Sequence, residues 1–272
     1  GLSSGSTYYY RVSAVDSTNF EGAKSYAVKA STKPALGEYS PDANTVLVMH
    51  MNEAAGSGVS DASGFGNNGT VIGTMSVSGR FGNARNFQSG AEYITVANSG
   101  SLNFGSASFT VEFWVKTINT GVIVNKFSGN GGGFNIGIAS GGFVQPFISD
   151  GVNSVGMQST VSITDGKWHH VAVVRNPPNL TVYIDGSTPQ SNLSSVGNID
   201  NSGNWTFGGL ACTFDEIRIS KIARSPQEFN LQLPPKNLSA SSTTSAIALN
   251  WQNGGGAVPL MRYRIYRESD ST

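Results

Sequence analysis

The densest set of side-chain oxygens in the chain lies in Asp61-Ala62-Ser63-Gly64-Phe65-Gly66-Asn67-Asn68-Gly69. Asp61, Ser63, Asn67 and Asn68 supply oxygens, and the glycines let backbone carbonyls turn inward. That suits calcium, which takes roughly six to eight oxygen ligands in flexible geometry. The same residues could instead close a tight loop through Asx-turns, with no ion. His169-His170 invites a zinc or general-base reading, but adjacent residues of a strand point to opposite faces. No Cys or acidic residue stands at ligand spacing beside them, so a packed, hydrogen-bonded pair is expected. Asp215-Glu216 invites a glycosidase reading. Such enzymes need two carboxylates facing one bond, which on a strand means a spacing of two, and these acids are adjacent. Neither a nucleophile elbow nor a phosphate loop occurs, so the chain is expected not to be an enzyme. Phe65, Phe127, Phe143 and Trp205 lie in or beside Gly-rich stretches and could form a sugar platform. The sequence does not say which face each takes, so no sugar site is assigned. The single cysteine, Cys212, can form no intrachain disulfide and is expected to be a buried, unactivated thiol.

Strands must position these groups. Phe109 to Lys116 alternates apolar and polar residues, and Trp168 to Arg175 reads as a central strand. Asn176-Pro177-Pro178-Asn179 forms a turn, Leu180 to Ile184 the return strand, and Asp185-Gly186 the next turn. Phe214 to Ser220 is a late strand. Helical periodicity is nearly absent; one turn is expected at Ser225-Pro226-Gln227-Glu228, where Ser, Pro and Glu stand as a capping box with Pro in the first helical position. Charged residues make up 12% of the chain, half the usual share of about 25%. With 34 glycines, recurrent alternation and zero net charge, the composition is that of an all-β protein. No basic stripe is available for nucleic acid, and no apolar run is long enough for membrane insertion. Sequons occur at Asn68, Asn179, Asn192, Asn204 and Asn237.

The two ends carry a pattern of their own. Tyr8, Tyr10, Val12 and Ala14 alternate with polar residues, and Leu2, Gly5 and Tyr8 have the spacing of a tyrosine corner. Near the other end Leu233-Pro234-Pro235 precedes Ile247, Leu249 and Trp251, then Tyr263-Arg264-Ile265. These residues resemble fibronectin type III domains. The C-terminal piece would supply the first three strands, and the N-terminal piece the last two. The resemblance implies incomplete sandwiches at both ends, in a segment of a longer modular protein. Adjacent copies or modules of the parent protein would be the partners that complete them.

The central stretch holds Trp168-His169-His170-Val171-Ala172-Val173-Val174-Arg175, then Tyr183-Ile184-Asp185-Gly186, then Asp215-Glu216-Ile217-Arg218-Ile219, preceded by the Asp61–Gly69 loop. In that order they resemble the laminin G-like, concanavalin A-like jelly-roll domains. The resemblance implies an all-β, two-sheet jelly-roll sandwich over residues 45–232. A linker would span 34–44, and the incomplete fibronectin type III pieces 1–33 and 233–272. It also implies a structural calcium ion held by Asp61, Asn67 and Asp215, with Glu53 and Asn68 assisting. Met51-Asn52-Glu53 stands where Phe-Asp-Glu is common in the family, which puts one acidic ligand in doubt, and Gln88-Ser89-Gly90 replaces an Asp-Gly turn. The expected role is a non-catalytic structural or adhesive segment, a repeating unit, of a larger secreted or cell-surface protein, with glycans among its partners. The alternative is a carbohydrate-binding module of a secreted multidomain glycan-degrading enzyme. The near-absence of cysteine suits a prokaryotic surface.

Overall fold

The structure, a computed structural model, describes residues 7–10, 28–31, 37–128, 131–229, 236–242 and 247–252. The strands run β1 (Thr7–Tyr10), β2 (Val28–Ser31), β3 (Thr45–Met49), β4 (Gly58–Val59), β5 (Gly69–Ile72), β6 (Met75–Ser78) and β7 (Asn83–Phe87). They continue with β8 (Tyr93–Val96), β9 (Phe109–Thr117), β10 (Gly121–Asn125), β11 (Gly132–Ile138), β12 (Val144–Asp150), β13 (Ser154–Gly156) and β14 (Trp168–Asn176). The last are β15 (Asn179–Ile184), β16 (Ser187–Leu193), β17 (Trp205–Gly208), β18 (Cys212–Ser220), β19 (Lys236–Ser242) and β20 (Ile247–Gln252).

The chain divides into two compact units, residues 38–231 and residues 1–37 together with 232–272. In the second unit β1 pairs antiparallel with β2, and β19 with β20. Leu2, Gly5 and the Tyr263–Ile265 run fall outside the described residues, and so does the fibronectin-like pattern they carry.

Residues 38–231 form the expected all-β sandwich of two antiparallel sheets. The front sheet has the strand order β13-β12-β11-β10-β17-β8-β5-β4. The back sheet runs β16-β15-β14-β9-β18-β7-β6, with β3 paired to β18. The turn at Asn176–Asn179 joins β14 to β15 with Asn176 opposite Asn179, and contains a cis Pro177–Pro178 peptide. Asp185 and Gly186 both have positive φ, +52° and +69°, the signature of an Asp-Gly hairpin turn. The helix turn expected near residue 226 is a 3₁₀ turn, Pro226–Glu228, whose Glu228 carboxylate accepts bonds from the Ser225 N–H and hydroxyl.

The core lies between the sheets. From the back sheet come Phe109, Val111, Phe113, Val115, Val171, Val173, Phe214, Ile217 and Ile219; Ile94, Val96, Val124, Phe134, Trp205 and Phe207 come from the front. Phe109 meets Phe134 edge-on across the gap, with ring centroids 5.4 Å apart. Each such side chain contributes about 1.5–3 kcal/mol of burial free energy. Strands β8 and β15 alternate buried with partly exposed residues, as a one-faced strand should. Strand β9 does not: eight of its nine residues are buried. Its polar face is covered by chain arriving at and leaving the sandwich. Tyr39, within the stretch read from sequence as a linker, is 3% exposed, and its hydroxyl donates to Glu112 at 3.1 Å. On the exit side the Thr110 hydroxyl donates to Ile222 O, and Phe229 packs on His170 and Tyr183.

Candidate functional site: an uncharged groove on the front sheet

The outer face of the front sheet is open. Because Ile94, Val96, Phe207 and Val124 turn inward, their neighbours Tyr93, Thr95, Thr206 and Asn125 turn outward. They line a groove of about 790 Å³ with Val122, Phe127, Asn204, Gly208 and Gly209. A β-bulge in β10 between Val122 and Val124 presents Val122 to the groove while both Ile123 and Val124 stay in the core. At Gly208, φ is +114°, and a Cβ would lie 2.7 Å from the Phe87 ring and 2.8 Å from Glu92 O. Glycine therefore lets the groove floor settle directly onto the core. Phe127 stacks on Phe147 of β12, centroids 5.9 Å apart and planes 30° apart, which extends an aromatic wall beyond the groove.

A buried lysine secures the wall. Lys126, 4% exposed, donates from Nζ to Asn98 Oδ1 at 2.8 Å, Asn201 O at 3.1 Å and Gly203 O at 2.7 Å. It ties β10 to the loop that carries Asn204, whose Oδ1 in turn accepts from Asn98 N. Burial lowers the Lys126 pKa to about 8. The ammonium is committed to protein oxygens rather than to the groove.

Among the described residues lining the groove there is no Asp, Glu, His, Cys or Lys. The described lining thus carries no carboxylate pair of the kind most glycoside hydrolases use, and it can offer a ligand hydroxyls, amides and aromatic surface.

The residues that the family resemblance implies for calcium lie away from the groove, and in this structure each has a side-chain oxygen hydrogen-bonded to a protein group. Asp61 Oδ1 accepts from the N–H groups of Val48 and Ser63, and Oδ2 from Ser63 Oγ and Asn67 N, all at 2.8–3.0 Å. Asn68 Oδ1 accepts from Asp61 N, and Asn67 Oδ1 from Ser99 Oγ. The loop thus closes by the Asx-type bonding that competes with metal binding. Glu53 Oε1 caps Ser60 N. Asp215 Oδ2 accepts from Phe81 N at 2.8 Å, while Oδ1 is buried without a partner. Burial raises its pKa to about 7.

Asp215 and Glu216 also correct the alternation argument. Register shifts between Asp215 and Arg218, and Glu216 has φ +49°. This bulge turns both acids out of the core face. Even so, neither faces an open cleft. Glu216 is fully buried, accepting from Tyr39 N at 2.6 Å and from His50 Nδ1 at 2.9 Å. That hydrogen bond raises the His50 pKa against the opposing effect of burial.

The two histidines do take opposite faces and are hydrogen-bonded. His169 bridges Asp185, sixteen residues on across the β14–β15 hairpin, at 2.8 Å and the sequence-near Asp165 at 3.0 Å. His170 is fully buried, its Nε2 3.1 Å from Glu112 and 2.9 Å from the Tyr39 hydroxyl. Arg218 completes the network with a 2.6 Å ion pair to Glu112. Burial would raise the Glu112 pKa, but Arg218 and His170 hold it below the ordinary value. Cys212 is buried, its pKa pushed up to about 12 by desolvation, so the thiol is unactivated. Of the four phenylalanine and tryptophan candidates for a sugar platform, Phe127 lines the groove and Phe65 is exposed at the tip of the Asp61 loop. Phe143 is half-buried and Trp205 lies in the core. Tyr93 was not singled out from sequence, although the alternation Tyr93-Ile94-Thr95-Val96 carries its outward direction.

Two eight-stranded antiparallel sheets around one core, one outer face covered and the other open as a groove, define a concanavalin A-like jelly roll. The chain belongs to the concanavalin A-like lectin/glucanases superfamily, whose model matches residues 88–230. No curated protein matches it. Among solved structures it is similar to the binding domain of Paraclostridial Mosquitocidal Protein 1, with TM-score 0.59 and 16% identity over 76% of this chain and 63% of that one. It is also similar to the binding domain of botulinum neurotoxin DC in complex with SialylT, with TM-score 0.57 and 16% identity over 77% and 62%. The receptor-binding domain of the botulinum neurotoxin C/D mosaic serotype matches at TM-score 0.57 and 14% identity, over 76% and 62%. The chain spans less than two thirds of each, and the likeness is one of fold. No helix among the described residues is long and apolar enough to cross a membrane.

Proposed function

We propose that residues 38–231 are a non-catalytic glycan-binding module that serves adhesion in an extracellular or cell-surface protein. The observation that carries this reading is the groove itself: Tyr93 and Phe127 beside Thr95, Asn125, Asn204 and Thr206, with no carboxylate among them. Aromatic rings stack on the apolar faces of sugar rings, and hydroxyl and amide side chains both donate and accept, as sugar hydroxyls do. The fold is shared with domains named for binding, one of them a receptor-binding domain, which is consistent with this reading as an analogy of fold. The flanking segments, in this proposal, are fibronectin type III-like pieces that join the module to its neighbours in a longer protein.

A glycan array probed with the full chain, with and without a chelator, tests the reading. Binding should occur in both conditions, since the groove has no metal-ligating set. Tyr93→Ala and Phe127→Ala should each weaken it about tenfold, a loss near 1.4 kcal/mol. Binding that survives both substitutions would place the site elsewhere, and an array blank in both conditions would remove the glycan reading.

A further inference from the structure

We infer that the groove selects an uncharged glycan chain laid across the strands, in preference to a glycan carrying sialic acid; this rests on the glycan-binding reading above. Two independent observations carry it. The first is charge. The eight strands of the front sheet contain one side chain charged at neutral pH, Asp150. Its carboxylate is already taken by the N–H groups of Gly197, Val152 and Asn153. The back-sheet strands β9, β14 and β18, by contrast, carry Glu112, Lys116, Arg175, Asp215, Glu216 and Arg218. Lys126, which stands between the groove residues Asn125 and Phe127 in sequence, is enclosed by three oxygens. A sialate carboxylate entering the groove would lose its water and meet no cation, a cost that neutral sugars do not bear.

The second observation is register. Directly opposed residues on the outer face form one continuous row: Thr70 faces Thr95, Thr95 faces Thr206, Thr206 faces Asn125, Asn125 faces Asn135, and Asn135 faces Phe147. With neighbouring strands about 4.8 Å apart, these six positions span about 24 Å perpendicular to the strands. Every member is at least partly exposed. The row runs past both sides of the groove, so hydroxyls and amides continue where a longer chain would lie, and it ends on the aromatic wall of Phe147 and Phe127. A site built for one terminal sugar needs no such length.

Isothermal titration of the full chain separates the outcomes. The probes are uncharged linear gluco-, manno- and xylo-oligosaccharides from disaccharide to hexasaccharide, with lactose and sialyllactose as a pair that differs by the acid sugar. The expected result is an affinity that rises with length in one neutral series and a sialyllactose affinity no greater than that of lactose. Phe147→Ala and Asn135→Ala should weaken the hexasaccharide about tenfold and leave the disaccharide unchanged. Sialyllactose binding more tightly than lactose, with Phe127→Ala abolishing it, would overturn the inference and leave the groove a glycan site. Affinity already complete at the disaccharide would likewise overturn it. Absence of binding to every probe would remove both readings.

Discussion

Asp215→Asn tests a buried acid whose pKa is raised to about 7. Asp215 is fully buried, its Oδ2 accepts one backbone N–H, and its Oδ1 has no partner. Its pKa is raised from 3.8 to about 7, chiefly by desolvation. In the unfolded chain the group ionises near 3.8. Between about pH 4 and 7 the folded chain therefore holds a proton that the unfolded chain has released. The favourable contribution of the neutral acid is fully present below the unfolded pKa and is lost as pH rises through about 7. At 1.36 kcal/mol per unit the loss is about 4 kcal/mol, and relaxation around a buried ion reduces it to about 2 kcal/mol. Asparagine keeps an oxygen for Phe81 N–H and never ionises. Urea unfolding should thus find the variant about 2 kcal/mol more stable than wild type at pH 8 and nearly equal at about pH 4. At pH 8 the melting temperature should rise by about 4–8 °C. A variant less stable than wild type at pH 8 would refute the reasoning. Calcium stabilising wild type but not the variant would make Asp215 a metal ligand, as the family resemblance implies.

Two further predictions concern buried ions. Glu112→Gln leaves Arg218 and His170 facing a neutral amide inside the protein and should cost about 3–5 kcal/mol, read by urea unfolding. The paired change Glu112→Leu with Arg218→Met removes both charges and should cost clearly less. Lys126→Met leaves Asn98 Oδ1, Asn201 O and Gly203 O without their donor. It should lower stability by about 2 kcal/mol and weaken oligosaccharide binding several-fold, because the loop carrying Asn204 loses its tie to β10.

Much of the sandwich was legible because its signals are local. Alternation in Leu180–Ile184, the Asp185-Gly186 turn and the Ser225–Glu228 capping box each depend on a few consecutive residues, and each formed as expected. The Asp61 loop was legible in outline: its side-chain oxygens do gather, and Asp61 accepts from the N–H groups of Val48, Ser63 and Asn67. What misled was inference from alternation alone. Phe109 to Lys116 alternates apolar and polar residues, yet Glu112 on its polar face is covered by chain from both ends of the sandwich. Asp215 and Glu216 read as opposed, yet a bulge turns both from the core.

The residue types by themselves determined an all-β, weakly charged protein, because strand periodicity, turn chemistry and charge count are properties of short segments; the jelly-roll expectation came from the family resemblance of its motifs. The groove belongs to the tertiary structure. Tyr93, Phe127 and Asn204 come from three separate parts of the chain, and the row from Thr70 to Phe147 exists only once five strand pairings have fixed their registers. A slip of one residue in any of them would turn that strand's outward residues into the core. Long-range pairing, which no local pattern encodes, is what turned scattered threonines, asparagines and aromatics into a surface.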